Sequence, residues 1–94
     1  MTDELKTFRD LQFQLNDTCE RARMDFANDF GVSVIRGEGT IGGTKGLWEV
    51  AVMKNGWIDY DTPVTDNVIG SCTEEDVTRI MKQVQELNPQ EDNQ

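Results

Sequence analysis

Apolar positions in the first third of the chain recur at steps of three or four. Leu5, Phe8, Leu11, Leu15, Cys19, Ala22, Phe26 and Phe30 form one stripe, which predicts a single long amphipathic helix from Asp3 to Phe30. Thr2 or Asp3 would cap its start and Gly31 would stop it. Phe13 and Met24 lie off the stripe, so the apolar face is wide. Asn16-Asp17-Thr18, all weak helix formers, mark where such a helix would bend.

The period then changes. Val32 to Arg36 alternates like a short strand, and Leu47 to Met53 is the strongest strand pattern in the chain. Between them, Gly37 to Gly46 holds five of the eight glycines and reads as a flexible connection. Asn55-Gly56 marks a hairpin. A two-residue turn there would pair Lys54 with Trp57 and set Val52 against Asp59. A three-residue loop with Gly56 in a bulge shifts the register by one and sets Val52 against Ile58 and Val50 against Tyr60. The better hydrophobic match favours the bulged turn. It predicts Trp48, Val50, Val52, Ile58 and Tyr60 facing inward, with Leu47, Glu49, Ala51, Met53, Trp57 and Asp59 facing outward.

Asp61 to Cys72 is irregular, with Val64, Val68 and Ile69 as a short strand or helical turn. Ser71 or Thr73 can cap a second helix, and Val77, Ile80, Met81, Val84 and Leu87 make its apolar stripe. Asn88-Pro89 ends it. The expected fold is α+β in αβββα order: a three-stranded antiparallel sheet with the long N-terminal helix and the C-terminal helix on one face. Residues 1–88 form one domain in this reading and 89–94 a disordered polar tail. Double-stranded-RNA-binding domains share that element order. Here Thr73-Glu74-Glu75-Asp76 stands where an RNA binder needs lysines, so their function does not carry over.

Charge narrows the functional classes. Nine basic residues stand against eighteen acidic ones, a net charge of −9. That repels nucleic acid and anionic lipid and attracts basic surfaces. No apolar run has the length of a membrane span, and the acidic Met-Thr-Asp-Glu start is unlike a secretory signal. A cytoplasmic protein with Cys19 and Cys72 as reduced thiols is expected.

The candidate chemistry is thin. Gly37 to Gly42 matches G-x-G-x-x-G, but a strand pattern follows where dinucleotide binding needs a helix, and Glu38 would repel phosphate. Asp59, Asp61 and Asp66 do not have calcium-loop spacing and read as turn solvation. Histidine is absent, which removes the commonest general base and most zinc-ligand sets. Cys72 precedes a helix start, but Glu74, Glu75 and Asp76 oppose a lowered thiol pKa. These features point to a non-enzymatic protein with no cofactor and no metal.

What remains is a small acidic surface. Every part of the chain carries net negative charge except Val32 to Gly46. Carboxylates spaced over a rigid fold can imitate nucleic-acid phosphates and occupy the basic cleft of a DNA- or RNA-binding enzyme. In size, acidity and lack of catalytic groups the chain is similar in kind to phage or mobile-element inhibitors of the anti-CRISPR and anti-restriction type. The expected partner-binding residues are Glu49, Met53, Trp57, Asp59, Asp61, Asp66, Glu74, Glu75 and Asp76, with Trp57 as apolar anchor. The alternative is an assembly module, a homodimer through the exposed sheet face.

Overall fold

A computed structural model describes residues 5–16, 18–37, 40, 45–58, 62, 64 and 68–87. The expected long N-terminal helix is not there. Residues Phe8–Asp10 make one 3-10 turn, and the chain then enters a sheet of six antiparallel strands: β1 (Gln14–Asn16), β2 (Cys19–Asp25), β3 (Phe30–Gly37), β4 (Trp48–Lys54), β5 (Trp57–Ile58) and β6 (Ile69–Cys72). One helix, α1 (Glu74–Gln85), follows. Among the described residues the architecture is a single helix on a sheet, not two helices on a three-stranded sheet.

The cause of the difference lies in residues 21–26. Arg21, Arg23 and Asp25 are exposed, while Ala22 is buried and Met24 and Phe26 are half-buried. This alternation has period two and suits a strand with one wet face. Asn16 pairs with Cys19, so β1 and β2 run antiparallel where the helical reading places a bend. Gly31 does not stop a helix. It is buried inside β3, where a Cβ would collide with the Met24 carbonyl oxygen.

The strand order is β1-β2-β3-β4, and both β5 and β6 pair with the far edge of β4. β6 lies against Trp48 and Val50, and β5 against Met53 and Lys54. The two short strands therefore share one edge end to end. The register Val32↔Val52, Val34↔Val50 and Ala22↔Val34 places these apolar residues on one face. Val77, Ile80, Met81 and Val84 of α1 close over that face, and Phe30 is buried with them. Leu87 joins the same core from beyond the helix end.

The hairpin after β4 also departs from expectation. Asn55 (φ 52°) and Gly56 (φ 88°) form the two-residue turn, with Lys54 opposite Trp57 and Met53 opposite Ile58. These are the positive φ values that an Asn-Gly turn of the I′ kind requires. Trp57 thus has the parity of Val52, and Ile58 that of Met53, the reverse of the bulged register. Tyr60, Asp59 and the 89–94 tail lie outside the described residues.

The start of the chain is stitched to α1 by polar side chains. Lys6 N–H donates to Gln85 Oε1 at 2.8 Å, and Gln85 Nε2 donates back to the Lys6 carbonyl at 2.9 Å. Phe8 N–H donates to Thr78 Oγ1 at 3.1 Å. Phe8 and Phe13 then pack on Trp48, with ring centroids 5.3 and 4.5 Å away.

Candidate functional site

Trp57 is the most exposed large apolar residue described, at 79%, and Ile58 beside it is 46% exposed. Both sit at the hairpin tip, where β5 has only two residues and no further described strand covers it. The tip is held from below: Asn55 N–H donates to the Asp29 carbonyl at 3.1 Å. The tip carries an exposed indole, the kind of group that anchors protein interfaces.

Glu74, Glu75 and Asp76 form the first turn of α1. Glu74 and Glu75 are exposed. Asp76 has a structural duty: its carboxylate accepts from Thr73 N–H at 3.0 Å, and Thr73 Oγ1 accepts from Asp76 N–H at 3.1 Å. Arg79 Nη2 adds an ion pair at 2.8 Å. The Thr73 N–H bond, then Arg79 and the Thr73 hydroxyl, hold this carboxyl below its ordinary pKa. Thr73, not Ser71, is thus the cap. Glu74 and Glu75 border a recess that also receives Arg9, Arg79 and Lys82, so the helix face has mixed sign.

Trp57 and the helix acids do not share one patch. Trp57 stands opposite Lys54 at one end of β4, and β6 leads into α1 from Cys72, opposite Trp48 at the other end. Six strand steps separate them, about 20 Å. Glu49 lies between, half-buried, on the sheet face away from the helix. Met53 has the same parity but is only 6% exposed. Asp59, Asp61 and Asp66 lie outside the described residues.

The other candidate chemistries resolve into structural roles. Gly37 closes β3, where a Cβ would collide with the Thr18 carbonyl oxygen and Cys19 Cα, and its N–H donates to Thr40 Oγ1 at 3.1 Å. The first glycine of the G-x-G-x-x-G match therefore serves close packing against the β1–β2 turn. Glu38, Gly39, Ile41 and Gly42 lie outside the described residues. Cys72 is buried, with Sγ 3.6 Å from the Ile69 carbonyl oxygen. Burial and the nearby Asp76 push its thiol pKa up, with Arg79 opposing. Cys19 and Cys72 are not joined in a disulfide. Among the described residues no cluster of three or more acids or cysteines has metal-binding geometry. No helix among them is long and apolar enough to cross a membrane.

Sequence reasoning missed a second group of charges. Arg21 and Arg23 are exposed on the sheet face away from α1, and with Gln12 and Gln14 they line a recess of about 330 Å³. Their i, i+2 spacing is the signal that a helical reading hides. No family model, no curated protein and no solved structure matches this chain.

Proposed function

We propose that this chain is a non-enzymatic, acidic binding protein that inhibits a nucleic-acid-binding enzyme by occupying its basic surface. The observation that carries the reading is the net charge of −9 on a 94-residue chain. The exposed Glu74 and Glu75 make no ion pair among the described residues, in contrast to Glu20 and Asp76, which are already paired with Arg36 and Arg79. Carboxylates without an internal partner are the ones open to Arg and Lys of another protein. Trp57 adds apolar contact that charge alone does not provide.

The test is affinity purification on the immobilised chain, with duplex DNA and salt as competitors. A basic nucleic-acid-binding protein should be retained and released by either competitor. Retention indifferent to DNA and to Glu74→Lys/Glu75→Lys would defeat the proposal. A second reading, an interaction module whose main contact is apolar, draws on the exposed Trp57–Ile58 tip. Under it, Trp57→Ala abolishes retention while the charge reversals leave it intact.

A further inference from the structure

β2 has a free edge. β3 pairs with it along Cys19–Asp25, but β1 pairs only with Cys19, Glu20 and Arg21. Residues 22–25 therefore have a neighbouring strand on one side and none on the other among the described residues. The direction of the main chain follows from one bond. Phe26 N–H donates to the Phe30 carbonyl at 2.7 Å, so residue 26 turns its polar groups toward β3. By the alternation of an antiparallel ladder, Ala22 and Met24 do the same. The N–H and C=O groups of Arg23 and Asp25 then point outward, away from the sheet.

The side chains at those two residues are exposed and share the face away from α1. Neither makes a hydrogen bond or ion pair with another described residue. Among the described residues the edge is flanked by two recesses: the Arg21–Arg23 recess at one end, and at the other one of about 390 Å³ that reaches Leu5, Met24 and Phe26.

Charges on an edge strand commonly guard against sheet-to-sheet association. A guard works by repelling its own copy, and here the signs decide otherwise. An antiparallel copy of β2 must set outward-pointing residues against each other. Three registers near the centre of the edge do so. Arg23 against Arg23 places like charges opposite and would also set residue 25 of the copy against Arg21, where β1 already fills the edge. Asp25 against Asp25 places like charges opposite. The register centred on Met24 places Arg23 against Asp25 twice, Met24 against Met24, and Ala22 against Phe26. Opposite charges directly across a strand pair stabilise it, and like charges destabilise it.

We propose that two copies of this chain associate through antiparallel pairing of their β2 edges, centred on Met24, with Arg23 of each copy opposite the partner's Asp25. The interface is two-fold symmetric and joins the two sheets into one. The net charge of −9 on each chain opposes association at long range. At physiological salt the screening length is about 8 Å, which weakens that repulsion more than it weakens directly opposed pairs.

Sedimentation velocity on the full chain in physiological salt, over concentrations up to about 1 mM, tests the proposal. The wild type should shift from monomer to dimer as concentration rises. Arg23→Asp and Asp25→Arg should each stay monomeric, because each sets like charges opposite at both pairs. An equimolar mixture of the two should dimerise, since one then brings two carboxylates and the other two guanidinium groups. The double variant Arg23→Asp/Asp25→Arg should recover the wild-type behaviour. Arg23→Pro, which removes an N–H that the monomer does not use, should block association without a charge reversal. A wild type that stays monomeric throughout overturns the proposal. So does a dimer that survives both single reversals or the proline, or a mixture of folded single variants that does not combine.

Discussion

Asn28 Nδ2 donates to the Leu87 carbonyl oxygen at 2.9 Å, so a side chain in the β2–β3 turn closes the C-terminus of α1 from across the fold. The same nitrogen lies 2.9 Å from the Val84 carbonyl oxygen and 3.3 Å from that of Gln85. The last carbonyls of a helix lack the full set of partners within it, and here one amide group reaches those of Val84 and Gln85 as well as that of Leu87 just beyond the helix. Its oxygen accepts from Phe30 N–H at 3.2 Å, which ties the turn to the start of β3. Asn28→Ala should lower stability by about 1–3 kcal/mol in chemical denaturation. Asn28→Asp keeps the acceptor for Phe30 but loses the donor and sets a negative charge at the negative end of the helix dipole. It should be at least as destabilising as alanine. An aspartate variant as stable as wild type would remove Asn28 as the helix closure.

Arg36 joins the sheet to the aromatic cluster. Its Cζ lies 4.1 Å from the Trp48 ring centroid, its Nη2 2.6 Å from Glu20 Oε1, and its Nη1 3.2 Å from the Gly46 carbonyl oxygen. A planar guanidinium can stack and donate in several directions at once, which an ammonium cannot. Arg36→Lys should therefore cost about 1 kcal/mol although charge is kept. Glu20→Gln should cost less, because both partners of the ion pair are partly open to water and such pairs contribute at most about 1 kcal/mol. Denaturation followed by Trp48 emission in a Trp57→Phe background separates the two. Equal losses would mean that the ion pair, not the stack, is the contact that matters.

The error in the first third of the chain has a simple origin. Ala22, Phe26 and Phe30 are spaced by four, and a step of four stays on one face of a helix and on one face of a strand alike. The residues between them carry the distinction. Arg21, Arg23 and Asp25 alternate with Ala22, Met24 and Phe26, and Met24 lies off the apolar stripe only at helical period. In α1 the opposite holds. Ile80 and Met81 are adjacent and both buried, which a strand with one wet face cannot arrange. That helix was legible for this reason, while its cap was legible only as Ser71 or Thr73. At Asn55-Gly56, matching hydrophobic residues across the hairpin was the wrong criterion. Trp57 and Ile58 are both exposed, so little burial was at stake and local turn preference decided the register. The edge of β2 that no described strand covers follows only from a strand reading of residues 19–25.

Asp76 and Cys72 predict opposite limbs of a pH profile. The Asp76 carboxyl is held below its ordinary pKa of 3.8 by its capping bonds and Arg79. A depressed carboxyl contributes stability that is fully present above its unfolded pKa and lost as pH falls through the folded one. Asp76→Asn should remove that share of the acid limb while lowering stability at neutral pH. The Cys72 thiol is raised above 9.0 by burial and by Asp76. A raised group contributes stability that is present below its unfolded pKa and lost as pH rises through the folded one. Cys72→Ala should flatten the alkaline limb. Thermal melts between pH 2 and 10 check both, and profiles that superimpose on wild type would refute the assignments.

The two tryptophans should separate stability from recognition. Trp48 is 5% exposed, ringed by Phe8, Phe13 and Arg36, while Trp57 is 79% exposed at the hairpin tip. Trp48→Ala should cost about 3–5 kcal/mol, since it empties a packed aromatic site. Trp57→Ala should change stability by no more than about 0.5 kcal/mol, as expected for a surface side chain with little buried area. In the Trp57→Phe variant, emission should be blue-shifted and resistant to iodide, and the quenchable fraction of the wild type should be gone. If Trp57 anchors a partner, Trp57→Ala should weaken that complex by about 2 kcal/mol or more, a roughly thirtyfold loss, with the fold intact. A Trp57→Ala variant as unstable as Trp48→Ala would mean that the second indole belongs to the core. The hairpin tip would then have no apolar group to offer a partner.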